Sequence, residues 1–233
     1  MRFLDLSLVS PAEQLACDEV LLQDLEDGAG AATLRFWEPA TMFVVVGWTN
    51  DPAREVNLEV CRARNIPVYR RRSGGGAVVQ LPGCLNFSLI LPHDAHPELR
   101  TAGDTGTFIM TRNASALQPL LRERIAVSGF SDLTIEGRKV AGSAQRRLIR
   151  SLLFHGCVLL NPDLSLIDAL LPMPSRQPGY RMNRPHGEFL RTLTIPAQAV
   201  MAAMRKEWGA NENFPQPPIS QITILAAEKY QPL

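Results

Sequence analysis

The sequence has almost no lysine: of its 24 basic residues, only Lys139, Lys206 and Lys229 are not arginine. An ammonium is a compact point charge, whereas a guanidinium is a broad planar fork. A chain that uses arginine nearly everywhere but keeps a lysine within Gly137-Arg138-Lys139-Val140 marks that position for chemistry. Lys206 falls in a charged helical stretch and Lys229 near the tail, so both read as solvated. Net charge is also missing, since 24 basic against 23 acidic residues leave a formal +1. That excludes a general field for nucleic acid and confines basic function to a local patch. No apolar run approaches the roughly 18–20 residues of a membrane span, and Asp5 interrupts the place where a signal peptide needs its apolar core. Four cysteines, at 17, 61, 84 and 157, have neither zinc-site spacing nor the density of a secreted disulfide framework. These absences predict a cytoplasmic protein with reduced thiols, no membrane partner and no nucleic-acid partner. At 233 residues, 45% of them hydrophobic, the chain can bury a full core.

Residues 70–78 read Arg-Arg-Arg-Ser-Gly-Gly-Gly-Ala-Val. Three consecutive glycines pack nothing and cost backbone entropy, so they belong where the chain needs positive φ or lets a ligand come close. Arginines beside such a turn supply donor forks for carboxylate or phosphate oxygens. The run predicts a site where backbone N–H groups and arginines hold an anionic small molecule against a sheet. It is not a phosphate-binding P-loop, for no Lys-Ser/Thr pair follows. It is not a dinucleotide fingerprint either, because the glycines are contiguous and lead into a strand.

Apolar spacing predicts a helix over 11–26, strands over 32–37 and 41–48, and one helix over 52–64. Strands are predicted at 66–70, 76–81 and 85–91, a long helix at 104–124, and short strands at 131–135 and 138–144. A further strand covers 152–160 and a helical turn or two 165–171. After a Pro- and Arg-rich loop, 189–208 reads as one or two helices, and 213–233 as a Pro-rich linker with a last short helix or strand. Strands following one another through short turns predict an α+β fold: a mixed, largely antiparallel sheet flanked by helices.

The second constellation is Glu136-Gly-Arg-Lys-Val-Ala-Gly-Ser-Ala-Gln145, followed by Phe154-His155-Gly156-Cys157-Val158-Leu159-Leu160. Three motifs in order, Arg-Arg-x-Ser-Gly-Gly-Gly-Ala-Val, Gly-Arg-Lys-x-x-Gly-Ser-Ala and His-Gly-x-x-Leu-Leu, resemble the lipoate-protein ligase A family. That family shares its catalytic fold with biotin protein ligases and lipoyl/octanoyl transferases. The resemblance covers roughly residues 1–195 and includes helix 11–26, Leu34-Arg-Phe-Trp37 and Val44-Val-Val-Gly-Trp-Thr-Asn50. It implies a single biotinyl/lipoyl protein ligase-like catalytic domain over 1–233, with 196–233 as a helical extension and the family's small accessory C-terminal domain absent.

The resemblance further implies ATP-dependent activation of lipoate to lipoyl-AMP, with ATP and Mg²⁺ as a substrate complex. Transfer to a lysine of a lipoyl-domain protein would follow. Acceptors would be acyltransferase subunits of 2-oxoacid dehydrogenases or a glycine-cleavage H protein. Without the accessory domain, either the first half-reaction is slow, or a separate accessory subunit supplies that part, or the chain performs transfer only. Arg71, Ser73, Gly74, Gly75, Gly76, Ala77 and Val78 would line the acyl and phosphate pocket. Lys139 would be the catalytic residue, serving the reacting carbonyl and phosphate oxygens. Val140, Gly142, Ser143 and Ala144 would lie along the adenylate with His155 nearby, and no resident metal is implied.

Several positions depart from the family pattern. Gln80 and Leu81 stand where histidine and aspartate are usual, Cys84 replaces an asparagine whose role Asn86 could partly cover, and Cys157 replaces a threonine. The alternative is a lipoyl or octanoyl transferase that moves the acyl group between proteins without ATP. Such an enzyme uses a cysteine nucleophile, and the matching position is Met173, leaving Cys157 as the candidate thiol. A non-catalytic acyl-binding module is disfavoured by the retained lysine, and a biotin ligase by the glycine motif. The loop 176–191, with Arg176, Arg181, Arg184 and Arg191 among Tyr180, His186 and Phe189, reads as a docking patch for an acidic lipoyl domain or a flap over the nucleotide.

Overall fold

The computed structural model describes residues 1–233. The chain opens with β1 (Arg2–Asp5), then Pro11 sets the first turn of α1 (Pro11–Glu26). β2 (Thr33–Trp37) and β3 (Phe43–Val46) are buried throughout. Two short helices follow, α2 (Pro52–Glu55) and α3 (Leu58–Ala63), where one was expected. Val56 leaves helical space at φ −138°, and Asn57 caps the second helix by accepting from the Val60 N–H. Next come β4 (Val68–Arg70), β5 (Val78–Gln80), β6 (Cys84–Pro92) and α4 (Ala102–Leu117). α4 stops short of the expected 124 at a 3₁₀ turn containing Pro119, whose ring cannot continue the ladder. A run of strands follows: β7 (Ile125–Ser128), β8 (Asp132–Ile135), β9 (Arg138–Arg147) and β10 (Ser151–Leu159). The chain ends in α5 (Leu164–Leu170), α6 (His186–Phe189), α7 (Ala197–Glu207), β11 (Glu212–Asn213) and α8 (Ile219–Lys229).

The eight-stranded sheet runs β11-β1-β2-β6-β10-β9-β8-β7, and a three-stranded sheet runs β4-β3-β5. In the large sheet every neighbouring pair along β2-β6-β10-β9-β8-β7 is antiparallel, while β1 pairs in parallel with β2 and β11. In the small sheet β3 is parallel to β4 and antiparallel to β5. The predicted mixed, largely antiparallel α+β class is therefore the observed one. β1 went unpredicted because four residues carry too little periodicity; its place comes from pairing with β2.

Residues 196–233 are part of the body. Val200, Met201 and Met204 of α7 join Ile109 and Met110 of α4 against Phe36, Phe87 and Leu89 on one face of the large sheet. Ile222 and Ala226 of α8 join Ala16, Leu21 and Leu22 of α1 against Ile90 and Leu153 on the other. A third core, with Val44, Val46, Val68, Val79, Leu170 and Phe189, sits under the small sheet. Burial of these side chains stabilises at roughly 1.5–3 kcal/mol each. No helix is long and apolar enough to cross a membrane.

Candidate active site

Where the small sheet meets β6, β9 and β10 a cavity of about 300 Å³ opens. Most of the residues expected at the site line it: Arg71, Gly75, Gly76, Ala77, Val78, Gln80, Asn86, Lys139, Gly142, Ser143, Ala144, His155 and Cys157. Three do not. Val140 is fully buried in the main core, because the strand alternation turns it away from the cavity. Ser73 is turned into the protein and only 2% exposed, and Gly74 is exposed on the loop outside the cavity lining.

The glycine loop is shaped from inside. Gly75 takes φ +85°, a conformation side chains rarely adopt. Arg71 is buried, and its guanidinium donates to Ser73 Oγ (3.0 Å), Gly74 O (2.6 Å), Gly76 O (2.8 Å) and Val45 O (3.3 Å). Burial pushes its pKa down to about 10. Arg70 likewise donates to the carbonyls of Gly47, Trp48 and Asn50, and Arg72 covers the Trp48 ring at 4.6 Å. The three arginines read as anion forks are thus turned onto the protein, because nearby loop carbonyls needed donors.

Ser73 Oγ lies 2.6 Å from His155 Nε2, and His155 Nδ1 is 3.7 Å from Asp18 Oδ2. This has the order of a hydrolytic triad, but the serine faces protein and also accepts from Arg71. Its role is to pin the loop to the core. Asp18 is the anchor. Its carboxylate pairs with Arg35 at 2.7 Å and accepts from Ser88 Oγ at 2.7 Å. Gln80 and Asn86 exchange two amide hydrogen bonds, both 2.8 Å, so each satisfies the other in the wall.

Lys139 is the lysine on the cavity wall, which Arg71, Arg176 and Arg181 also line. Its Nζ pairs with Asp132 Oδ1 at 2.8 Å, and Tyr180 OH donates to Asp132 Oδ2 at 2.7 Å. Burial, then the Asp132 charge, push the Tyr180 hydroxyl far above the usual phenol range, so it stays a donor. The segment 172–185 crosses the cavity through Pro172, Pro174, Arg176, Pro178 and Arg181, tied down by Tyr180 and by a Ser175–Glu55 hydrogen bond. Arg181 stacks on Phe189 at 4.7 Å and leaves Nη2 buried without a partner. That orphaned donor, on a residue lining the cavity, fits an anionic group such as a phosphate. Asp132, Asp18 and Glu55 were not read as site residues, and Tyr180 was read only as part of the loop 176–191. Only the β8–β9 hairpin, which sets Asp132 near Lys139, carried a local signal.

Three of the four cysteines are closed off from a substrate. Cys17, Cys61 and Cys84 are buried. Cys157 lines the cavity, but its contact with the Cys84 thiol and burial push its pKa well up, and the thiolate is the reactive form.

Gly142 makes room for the lysine: a Cβ there would lie 2.5 Å from Lys139 Cε and Nζ. Because the clash meets the mobile end of a side chain, Gly142→Ala should fold normally and displace the ammonium. A misplacement near 1 Å costs about 10²-fold in rate, so turnover should drop strongly with an unchanged melting temperature. Equal activity for the two proteins would refute this account of Gly142.

The fold is that of lipoate-protein ligases. A structure described as a bi-partite lipoate protein ligase and its E2 lipoyl domain from Thermoplasma acidophilum superposes with a TM-score of 0.78 at 21% identity, covering 98% of this chain and 92% of that one. A lipoate-protein ligase A bound with ATP superposes at 0.77 with 22% identity, covering 98% and 94%. Residues 10–207 match the lipoyl protein ligase A/B catalytic domain, and the chain belongs to that family of enzymes. It is 31% identical over 206 residues to the octanoyltransferase LipM of Brevibacillus brevis, covering 78% of this chain and 73% of that protein. It is 33% identical over 162 residues to a putative lipoate-protein ligase A of Aeropyrum pernix, covering 70% of this chain and 58% of that one.

Proposed function

We propose that this protein transfers a lipoyl or octanoyl group to the ε-amine of a lysine in a lipoyl-domain protein. The observation that carries this reading is the Lys139 ammonium, held by Asp132 on the wall of a cavity that also offers apolar surface from Trp37, Val45, Val79 and Leu159 for an acyl chain. Attack of an amine on an acyl carbon gathers negative charge on the carbonyl oxygen, and a preorganised ammonium stabilises it. Acceptors would be acyltransferase subunits of 2-oxoacid dehydrogenases or a glycine-cleavage H protein.

For the donor we infer lipoyl-AMP made from lipoate and Mg²⁺·ATP. The unpartnered Arg181 nitrogen and Lys139 suit its phosphate. A second reading, transfer from a carrier protein through a thioester on Cys157, is favoured by the relatives named octanoyltransferase and by the place of that thiol in the cavity. In an assay with lipoate, Mg²⁺·ATP and a lipoyl-domain acceptor, we expect a lipoylated lysine and AMP. Cys157→Ser should keep activity within a few-fold, since its thiol is not ionised. Mass spectrometry of the wild type with an octanoyl carrier protein provides the opposing test. An acyl group trapped on Cys157 would move the protein to the transferase class.

A further inference from the structure

α6 is tied to the strand that carries the lysine. Leu190 bridges Lys139, and Arg138 donates to the carbonyls of Gly187 (3.1 Å) and Leu190 (2.7 Å). This brings the ring of His186, 8% exposed, into the cavity wall beside Lys139. Asp168 of α5 receives three donors from the same turn. His186 N (3.1 Å) and Nδ1 (3.2 Å) reach Oδ1, and Gly187 N (3.1 Å) reaches Oδ2. With Nδ1–H directed at a carboxylate, the neutral ring carries its lone pair on Nε2; the ring's hydrogen bond in the protein is the one through Nδ1. The other histidine on the cavity is not free, because His155 Nε2 is engaged by Ser73. Lys139 Nζ is engaged by Asp132 Oδ1 at 2.8 Å.

We propose that His186, oriented by Asp168, is the general base that deprotonates the attacking lysine of the acceptor. The inference rests on the acyl-transfer reading above. Burial, then the Arg181 charge, with Lys139 adding to them, outweigh Asp168 and hold the ring below the ordinary imidazole range, so it is neutral at pH 7. In the step itself, Nε2 takes one proton from the acceptor's ε-ammonium. The freed amine attacks the acyl carbon, a C–N bond forms, and the acyl–oxygen bond breaks with its electron pair left on the phosphate. The nitrogen's second proton goes to water, and the imidazolium later returns its own proton to water.

The test compares two nucleophiles with preformed lipoyl-adenylate at pH 7: a lipoyl-domain lysine, which must first lose a proton, and hydroxylamine, which is already neutral. His186→Ala should slow transfer to lysine by about 10²-fold, the usual worth of a positioned base, and slow the hydroxylamine reaction by only a few-fold. Added imidazole should restore part of the lysine reaction. Asp168→Asn should give a smaller loss and move the acid limb of the pH–rate profile, because the ring loses its oriented tautomer. Equal losses on both nucleophiles would show a structural role and overturn the proposal, as would no loss on lysine. Wild-type protein inert toward both nucleophiles would overturn the acyl-transfer reading itself, and the assignment of His186 with it.

Discussion

Lys139→Ala should slow acyl transfer about 10²–10³-fold, the scale of removing one preorganised charge-stabilising group. Lys139→Arg should not rescue it. The ammonium fits between Asp132 at 2.8 Å and the bare Cα of Gly142, where even a methyl group would collide with it. A planar guanidinium is broader and would settle on Asp132 in a different place. The side chain is about a quarter exposed, so neither variant should lose much stability. Single-turnover transfer to a lipoyl-domain acceptor, with thermal melting as the folding control, checks both statements. Near wild-type turnover for Lys139→Arg would remove the point-charge argument.

The largest effect on stability is expected at Asp18. Arg35 is fully buried and makes its ion pair with Asp18; its Nη1 and Nη2 also donate to Gln14 and to the Leu6 carbonyl, while its Nε has no partner. Asp18→Asn leaves that guanidinium without a counter-charge, and breaking such a pair on one side costs about 3–5 kcal/mol. The pH dependence follows from the same contacts. Burial alone would push the Asp18 carboxyl up, but Arg35, then His155 and Ser88, outweigh it and hold the group below its usual range. A depressed folded pKa contributes stability that is fully present above the unfolded value of about 3.9 and is lost as pH falls through the folded value. Urea unfolding at pH 7 and through the acid range should show this loss in the wild type and not in Asp18→Asn. Identical midpoints for the two proteins at pH 7 would contradict the assignment. Because Asp18 also faces His155, the variant should loosen the glycine loop and lose activity before it unfolds.

Much of the fold was legible because its strands carry their own signal. β6 and β10 are rich in apolar residues and pair over nine positions, and α1 begins at a proline and keeps helical apolar spacing. Lys139 stood out by rarity and Gly75 by its neighbours, each a one-residue signal that survives without knowledge of distant contacts. Arg71 shows the limit. Its donor fork was visible in the sequence, but its direction was set by which carbonyls the folded loop left unpaired. The Asp18–His155–Ser73 line joins positions from α1, β10 and the loop, and no local pattern links segments so far apart.

From its order of residues alone, this chain determined the sheet class, the place of the glycine turn and the one lysine worth testing. Those depend on short-range propensity and on the bare chemistry of a residue type. Tertiary structure decided which polar groups face the cavity and which face the protein. It turned Arg71 inward, set Asp132 and Tyr180 on Lys139, placed Val140 in the core and turned Nδ1 of His186 onto Asp168. The reason is that a buried polar group must find a partner, and the partner it finds depends on register and packing across the whole molecule.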